Sequence, residues 1–147
     1  MKELMYLRCD PYDFLECTKK ISSAIENDTW IQLSPPKGNT VKIPKNFLPK
    51  KPGIVISSGG SIAGPHHCLQ PFSHLDQSAI ATGQWLKNLG FEPKDCRIFN
   101  PLPMHHVSGL MPWWRSKIWE AKHTWLMPSL MRNPIELETS FKSLFHQ

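Results

Sequence analysis

The chain has 147 residues, of which 40% are hydrophobic; that is enough apolar surface for one packed domain and excludes a disordered chain. Its net charge is +5, and Lys37, Lys42, Lys45, Lys50 and Lys51 gather in one Pro/Gly-interrupted stretch, either as a solvated loop or as a surface that attracts an anion such as a nucleotide. Only Phe47 punctuates those lysines, which argues against nucleic acid. No run is apolar for long enough to span a bilayer, and the opening MKELMYLRCD has no signal-peptide core. The four cysteines, Cys9, Cys17, Cys68 and Cys96, form no C-x-x-C pair and read as reduced thiols in a cytoplasmic protein.

In chain order, Asp10-Pro11 reads as an N-cap followed by a first-turn proline. Phe14, Cys17, Ile21 and Ile25 then recur at helical spacing, so the pattern predicts a helix over 11–27. Short strands are expected at 30–34 and 40–43, then a proline-broken connector. The run Gly53-Ile54-Val55-Ile56-Ser57 predicts a buried strand, with 66–71 as its hairpin partner. Ser73 and Asp76 have the spacing of a capping box, and a helix follows over 73–89 with Leu75, Ala79, Thr82, Leu86 and Leu89 on one face. Gly90 supplies its stop. A strand is expected within 96–102, and a helix over 108–121 that Pro112 enters near its first turn. Another strand falls at 123–128, and Asn133-Pro134 opens a last helix over 134–145 with Leu137, Phe141 and Leu144. Strands alternating with helices from residue 53 onward predict an α/β layer architecture. The chain divides at residue 52 into an N-terminal helix, short strands and Pro/Lys-rich connector (1–52) and a second unit (53–147).

Two stretches carry candidate chemistry. SSGGSIAGPHH, residues 57–67, follows the buried strand. It has neither the G-x-x-x-x-G-K-[ST] nor the G-x-G-x-x-G pattern. Its glycines either serve a hairpin turn or turn backbone N–H groups toward an anion. NPLPMHHVSGL, residues 100–110, sets His105 and His106 after a strand and before a helix, where open α/β sheets bind ligands. Each imidazole is either satisfied in the core or free to hydrogen-bond a carboxylate. A zinc site from His66, His67, His105, His106 and Cys68 is disfavoured, because adjacent residues on a strand face opposite ways; no metal site is assigned.

Together and in this order, the motifs resemble the adenylate-forming superfamily of acyl-CoA synthetases, luciferases and peptide-synthetase adenylation domains. That family's loop reads roughly [ST]-S-G-[ST]-[ST]-G-x-P-K, and ISSGGSIAGPHH stands in its place. Its second motif reads L-P-x-x-H-x-x-G, matched by LPMHHVSGL with His106 and Gly109. The narrower resemblance, over about residues 53 to 134, is to the o-succinylbenzoate–CoA ligase family of cyanobacterial kind, from menaquinone and phylloquinone biosynthesis. It implies part of the large N-terminal domain of an enzyme that joins a carboxylic acid to ATP as an acyl-adenylate and passes the acyl group to coenzyme A. It implies Ser57, Ser58, Gly59, Gly60, Ser61 and Gly64 as contacts for the β- and γ-phosphates. His106 would stand at the reacting carboxylate, with Ser108, Gly109 and, ranked lower, His105 shaping the acyl pocket. The substrates implied are ATP with magnesium, a small carboxylic acid and coenzyme A.

Pro65-His66 replaces the family's Pro-Lys, which leaves His66 or His67 to supply positive charge as pH falls towards about 6. The family's Tyr-Gly-x-Thr-Glu and Thr-Gly-Asp motifs have no match: the tyrosines are Tyr6 and Tyr12, and Thr82-Gly83 is followed by Gln84. The chain is therefore expected to be the amino-terminal portion of a longer ligase, with the magnesium ligand and C-terminal domain in a missing part or a second polypeptide. A catalytically inactive remnant and a basic nucleotide-binding or interaction module stay open as other readings.

Overall fold

Strands and helices alternate along the chain, the α/β architecture expected from the sequence. The computed structural model describes residues 3–58 and 66–145, apart from the side chains of Ser58, Leu144 and Phe145. In chain order the elements are β1 Met5–Arg8, α1 Phe14–Glu26, β2 Ile31–Ser34, β3 Gly53–Ser58, β4 His66–Pro71, α2 Phe72–Asn88, β5 Arg97–Asn100, α3 Val107–Trp119, β6 Lys122–Trp125 and α4 Pro134–Phe145. β1, β2 and β3 run parallel and β4 returns antiparallel in one four-stranded sheet. β5 and β6 pair in parallel as a second sheet, with α3 as their crossover. Residue 52 falls between β2 and β3, which pair directly through Ile31–Ile54 and Gln32–Val55.

Side chains alternate across β3 and so address two different environments. Ile54 and Ile56 join Cys17, Ile21 and Ala24 of α1, Phe72, Leu75 and Ala79 of α2, and Leu110 and Trp114 of α3 in the main core. Val55 looks the other way, to Leu4 and Trp30, where Ile43 and Leu48 of the lysine-rich connector pack. The connector thus covers the sheet face opposite the helices.

Local chemistry accounts for the departures from the expected boundaries. Asp10 does not cap α1; it holds a turn by accepting from Tyr12 N at 2.9 Å, and Asp13 caps the helix by accepting from Glu16 N. Residues 40–43 are not a strand. The buried Gln32 side chain takes the place of a ladder there, donating to Val41 O at 2.8 Å and accepting from Ile43 N at 3.2 Å. Ser73 and Asp76 form no capping box: α2 starts at Phe72 after Pro71 with no side-chain cap, and Asp76 accepts from Trp114 Nε1 at 2.8 Å. On α2, Gly83 takes a buried place and Leu89 is 53% exposed. Because α3 begins at Val107, Pro112 lies inside it rather than in its first turn, so the Ser108 carbonyl has no N–H four residues on.

Candidate functional site

The hairpin of β3 and β4 sets Ser57 opposite His67 and Ser58 opposite His66. Both flanks of the glycine-rich loop therefore come to one end of the sheet; Gly59, Gly60, Ser61 and Gly64 themselves lie outside the described residues. α3 arrives at the same place. His106 is its N-cap residue, extended at φ −110° and ψ 148°, and Gly109 N and Leu110 N both donate to His106 O. A cleft of about 390 Å³ forms there, lined by Ile56 and Ser57 of β3, Cys68 and Gln70 of β4, and His106, Val107 and Ser108. Motifs separated by about half a hundred residues in sequence thus share one cavity.

The remaining sequence candidates fall elsewhere. His105 lines a second, apolar cavity of about 120 Å³, with Cys9, Phe14, Met104 and Trp125 among its neighbours. Its ring lies 4.3 Å from that of His106, centroid to centroid. Burial, and secondly the charge of His106, push the His105 imidazole down to about 4, so it is neutral at physiological pH. Gly109 is buried and does not line the cleft. A Cβ there would stand 2.0 Å from Pro103 O, so the glycine lets the strap before α3 press against the helix. Along β4, alternation puts His66 on the face of Cys68 and Gln70, and His67 on the face of Leu69, which packs beside Val55. Thr82 and Gly83 sit within α2, with Gly83 pressed on the Trp119 ring.

Sequence reasoning missed Ile56, Cys68, Gln70 and Val107 as cleft residues. The alternation of β4 held the signal for Cys68 and Gln70, once its pairing with β3 was known. It also missed Asn100, a fully buried amide between β5 and the strap.

No family model and no curated protein matches the chain. Solved structures do. The chain is similar to the o-succinylbenzoate CoA synthetase (MenE) from Bacillus subtilis in complex with the acyl-adenylate intermediate OSB-AMP, at a TM-score of 0.62 and 14% identity. Its fold is that of part of this synthetase. The likeness covers 98% of this chain and 51% of that one, so the chain spans about half the synthetase's length. A structure of the synthetase with AMP gives a TM-score of 0.48 at 14% identity, over 84% of this chain and 34% of that chain. No described helix is long and apolar enough to cross a membrane.

Proposed function

We propose that the chain is the phosphate- and acyl-binding part of an AMP-forming acid–CoA ligase whose acid is o-succinylbenzoate, in menaquinone or phylloquinone biosynthesis. The observation that carries this reading is the cleft in which Ser57, at the root of the glycine-rich loop, meets His106 and Ser108. The likeness in fold to a synthetase solved with an acyl-adenylate supports it.

In this reading the substrate carboxylate attacks the α-phosphorus of ATP and pyrophosphate leaves; coenzyme A thiol then displaces AMP. Attack and departure redistribute negative charge over phosphate oxygens. The contacts assigned to that charge are Ser57, Ser58, Gly59, Gly60, Ser61 and Gly64, as the family resemblance implies. The His106 imidazole N–H orients the carboxylate, and the Ser108 hydroxyl offers a second donor beside it. His66, on the cleft face of β4, takes the place of the family's lysine. Magnesium would neutralise charge on the polyphosphate; among the described residues no cluster of His, Cys, Asp and Glu is placed to hold it. Coenzyme A enters as a substrate.

Calorimetric titration of the chain with ATP, pyrophosphate and a non-hydrolysable o-succinylbenzoyl-sulfamoyl adenosine tests the reading. All three should bind. Ser58→Ala, at the position paired with His66, should weaken pyrophosphate by about three- to tenfold, the worth of one hydrogen bond. His106→Ala should weaken only the acyl analogue, and His66→Gln should weaken pyrophosphate more than His67→Gln. A parent chain that binds none of the three at millimolar concentration rejects the proposal.

A further inference from the structure

His106 is held by the residue that opens its own stretch. Asn100 ends β5 with 1% of its surface exposed. Its Oδ1 accepts from Leu102 N at 3.1 Å, and its Nδ2 donates to Gly109 O at 2.8 Å. Leu102 N can only donate and Gly109 O can only accept, so the amide has one workable orientation. Its second amide hydrogen points to His123 Nε2 at 3.2 Å. That nitrogen must accept, which places the His123 proton on Nδ1; burial holds this imidazole neutral by pushing it down to about 4. Asn100 is also fixed through its backbone, whose carbonyl accepts from Leu126 N. Residues 103–108, with His106 among them, lie between the two points that the amide grips. The strap is tied within itself by His106 N donating to Pro103 O at 3.2 Å.

We infer that Asn100 is a positioning residue for His106: one buried amide joins the start of the strap to the first turn of α3 and so sets where the imidazole stands in the cleft, while His123 sets which way the amide faces. The inference rests on the proposed role of His106 at the acid. It divides the cleft into separately supported ends. The phosphate end hangs on the β3–β4 hairpin, and the acid end on β5, β6 and the Asn100 amide. Damage to Asn100 therefore reaches the acid end alone.

The test uses the chain with isotopically labelled histidine and the variants Asn100→Ala, His123→Leu and His123→Gln. His106 ring signals are read by NMR, and affinities for pyrophosphate and the o-succinylbenzoyl-sulfamoyl adenosine by calorimetry. Asn100→Ala and His123→Leu should move the His106 ring signals and weaken the acyl analogue by about tenfold, with pyrophosphate affinity unchanged. His123→Gln, whose Oε1 can accept from Asn100 Nδ2, should restore both readouts towards the parent. Unmoved His106 signals in a folded variant, equal losses for both ligands, or identical behaviour of His123→Leu and His123→Gln would overturn the inference. Should Asn100→Ala fail to fold, the His123 pair decides alone. A parent that binds no acyl analogue defeats the reading of the site, and the His106 signals still decide the role of Asn100.

Discussion

Two imidazoles, His105 and His123, are pushed down to about 4 by burial, His105 with a further contribution from the His106 charge. Unfolded, an imidazole takes its proton near about pH 6.5. Between these two values the unfolded chain binds more protons than the folded one, so stability rises with pH across that window. It is complete above about pH 6.5 and declines as pH falls towards about 4. Melting temperatures measured from about pH 7.5 to 4.5 should fall on the acid side, and less steeply in His105→Leu, which removes one proton acceptor from an apolar pocket. Parallel curves for parent and variant would show that burial of His105 carries no such penalty. The sequence marked the histidine pair as a place for chemistry and ranked His106 above His105, because neighbours on an extended segment face opposite ways. The turn of the strap gives His106 to the cleft and His105 to the cavity beside Trp125.

The packing of α2 on α3 shows where element-level reading succeeded and where it failed. Gly90, at φ +90°, marked the end of α2 to within a residue, and its start also fell within a residue although the capping box it was read from does not form. The β3–β4 hairpin was equally legible, because a continuous apolar run bounded by glycines has few alternatives. β1 was missed: Met5–Arg8 is a short edge strand with only Leu7 buried, and nothing local separates it from a coil. Asp76 was misread because its partner lies 38 residues away, beyond the reach of any spacing rule. The indole of Trp114 also stacks on Phe72 at 5.8 Å, so the contact is a packed one with a polar end. This distinguishes two stability outcomes. Asp76→Ala leaves Trp114 Nε1 without its acceptor and should cost about 1–2 kcal/mol in urea unfolding. Ser73→Ala removes a hydroxyl that caps nothing and should stay within about 0.5 kcal/mol. A capping box would make both substitutions costly, by about 1 kcal/mol each.

At the scale of the whole molecule, the candidate groups for a nucleotide are unevenly distributed. Ser57, His106 and Ser108 line one cleft, but Tyr6, Tyr12, Thr82 and Gly83, which do not make up the family's adenine and ribose motifs, stand elsewhere. Tyr6 lies on edge strand β1 beneath the Lys42 ammonium at 4.4 Å. Tyr12 is 82% exposed before α1. Thr82 spends its hydroxyl on Ser78 O within α2, and Gly83 is closed off by Trp119. None of these lines the cleft. The nucleotide affinity of these 147 residues should therefore come from the polyphosphate alone. Tripolyphosphate should bind within about threefold of ATP, adenosine should show no measurable binding, and affinity should fall as salt rises, since charge carries it. The same imbalance leaves an acyl-adenylate without a hold on its base, so the purified chain should form no acyl-CoA from o-succinylbenzoate, ATP and coenzyme A. Competition calorimetry and a coupled pyrophosphate-release assay read the two halves of this expectation. ATP binding about tenfold or more tighter than tripolyphosphate would show that the chain grips adenine through residues not assigned to it.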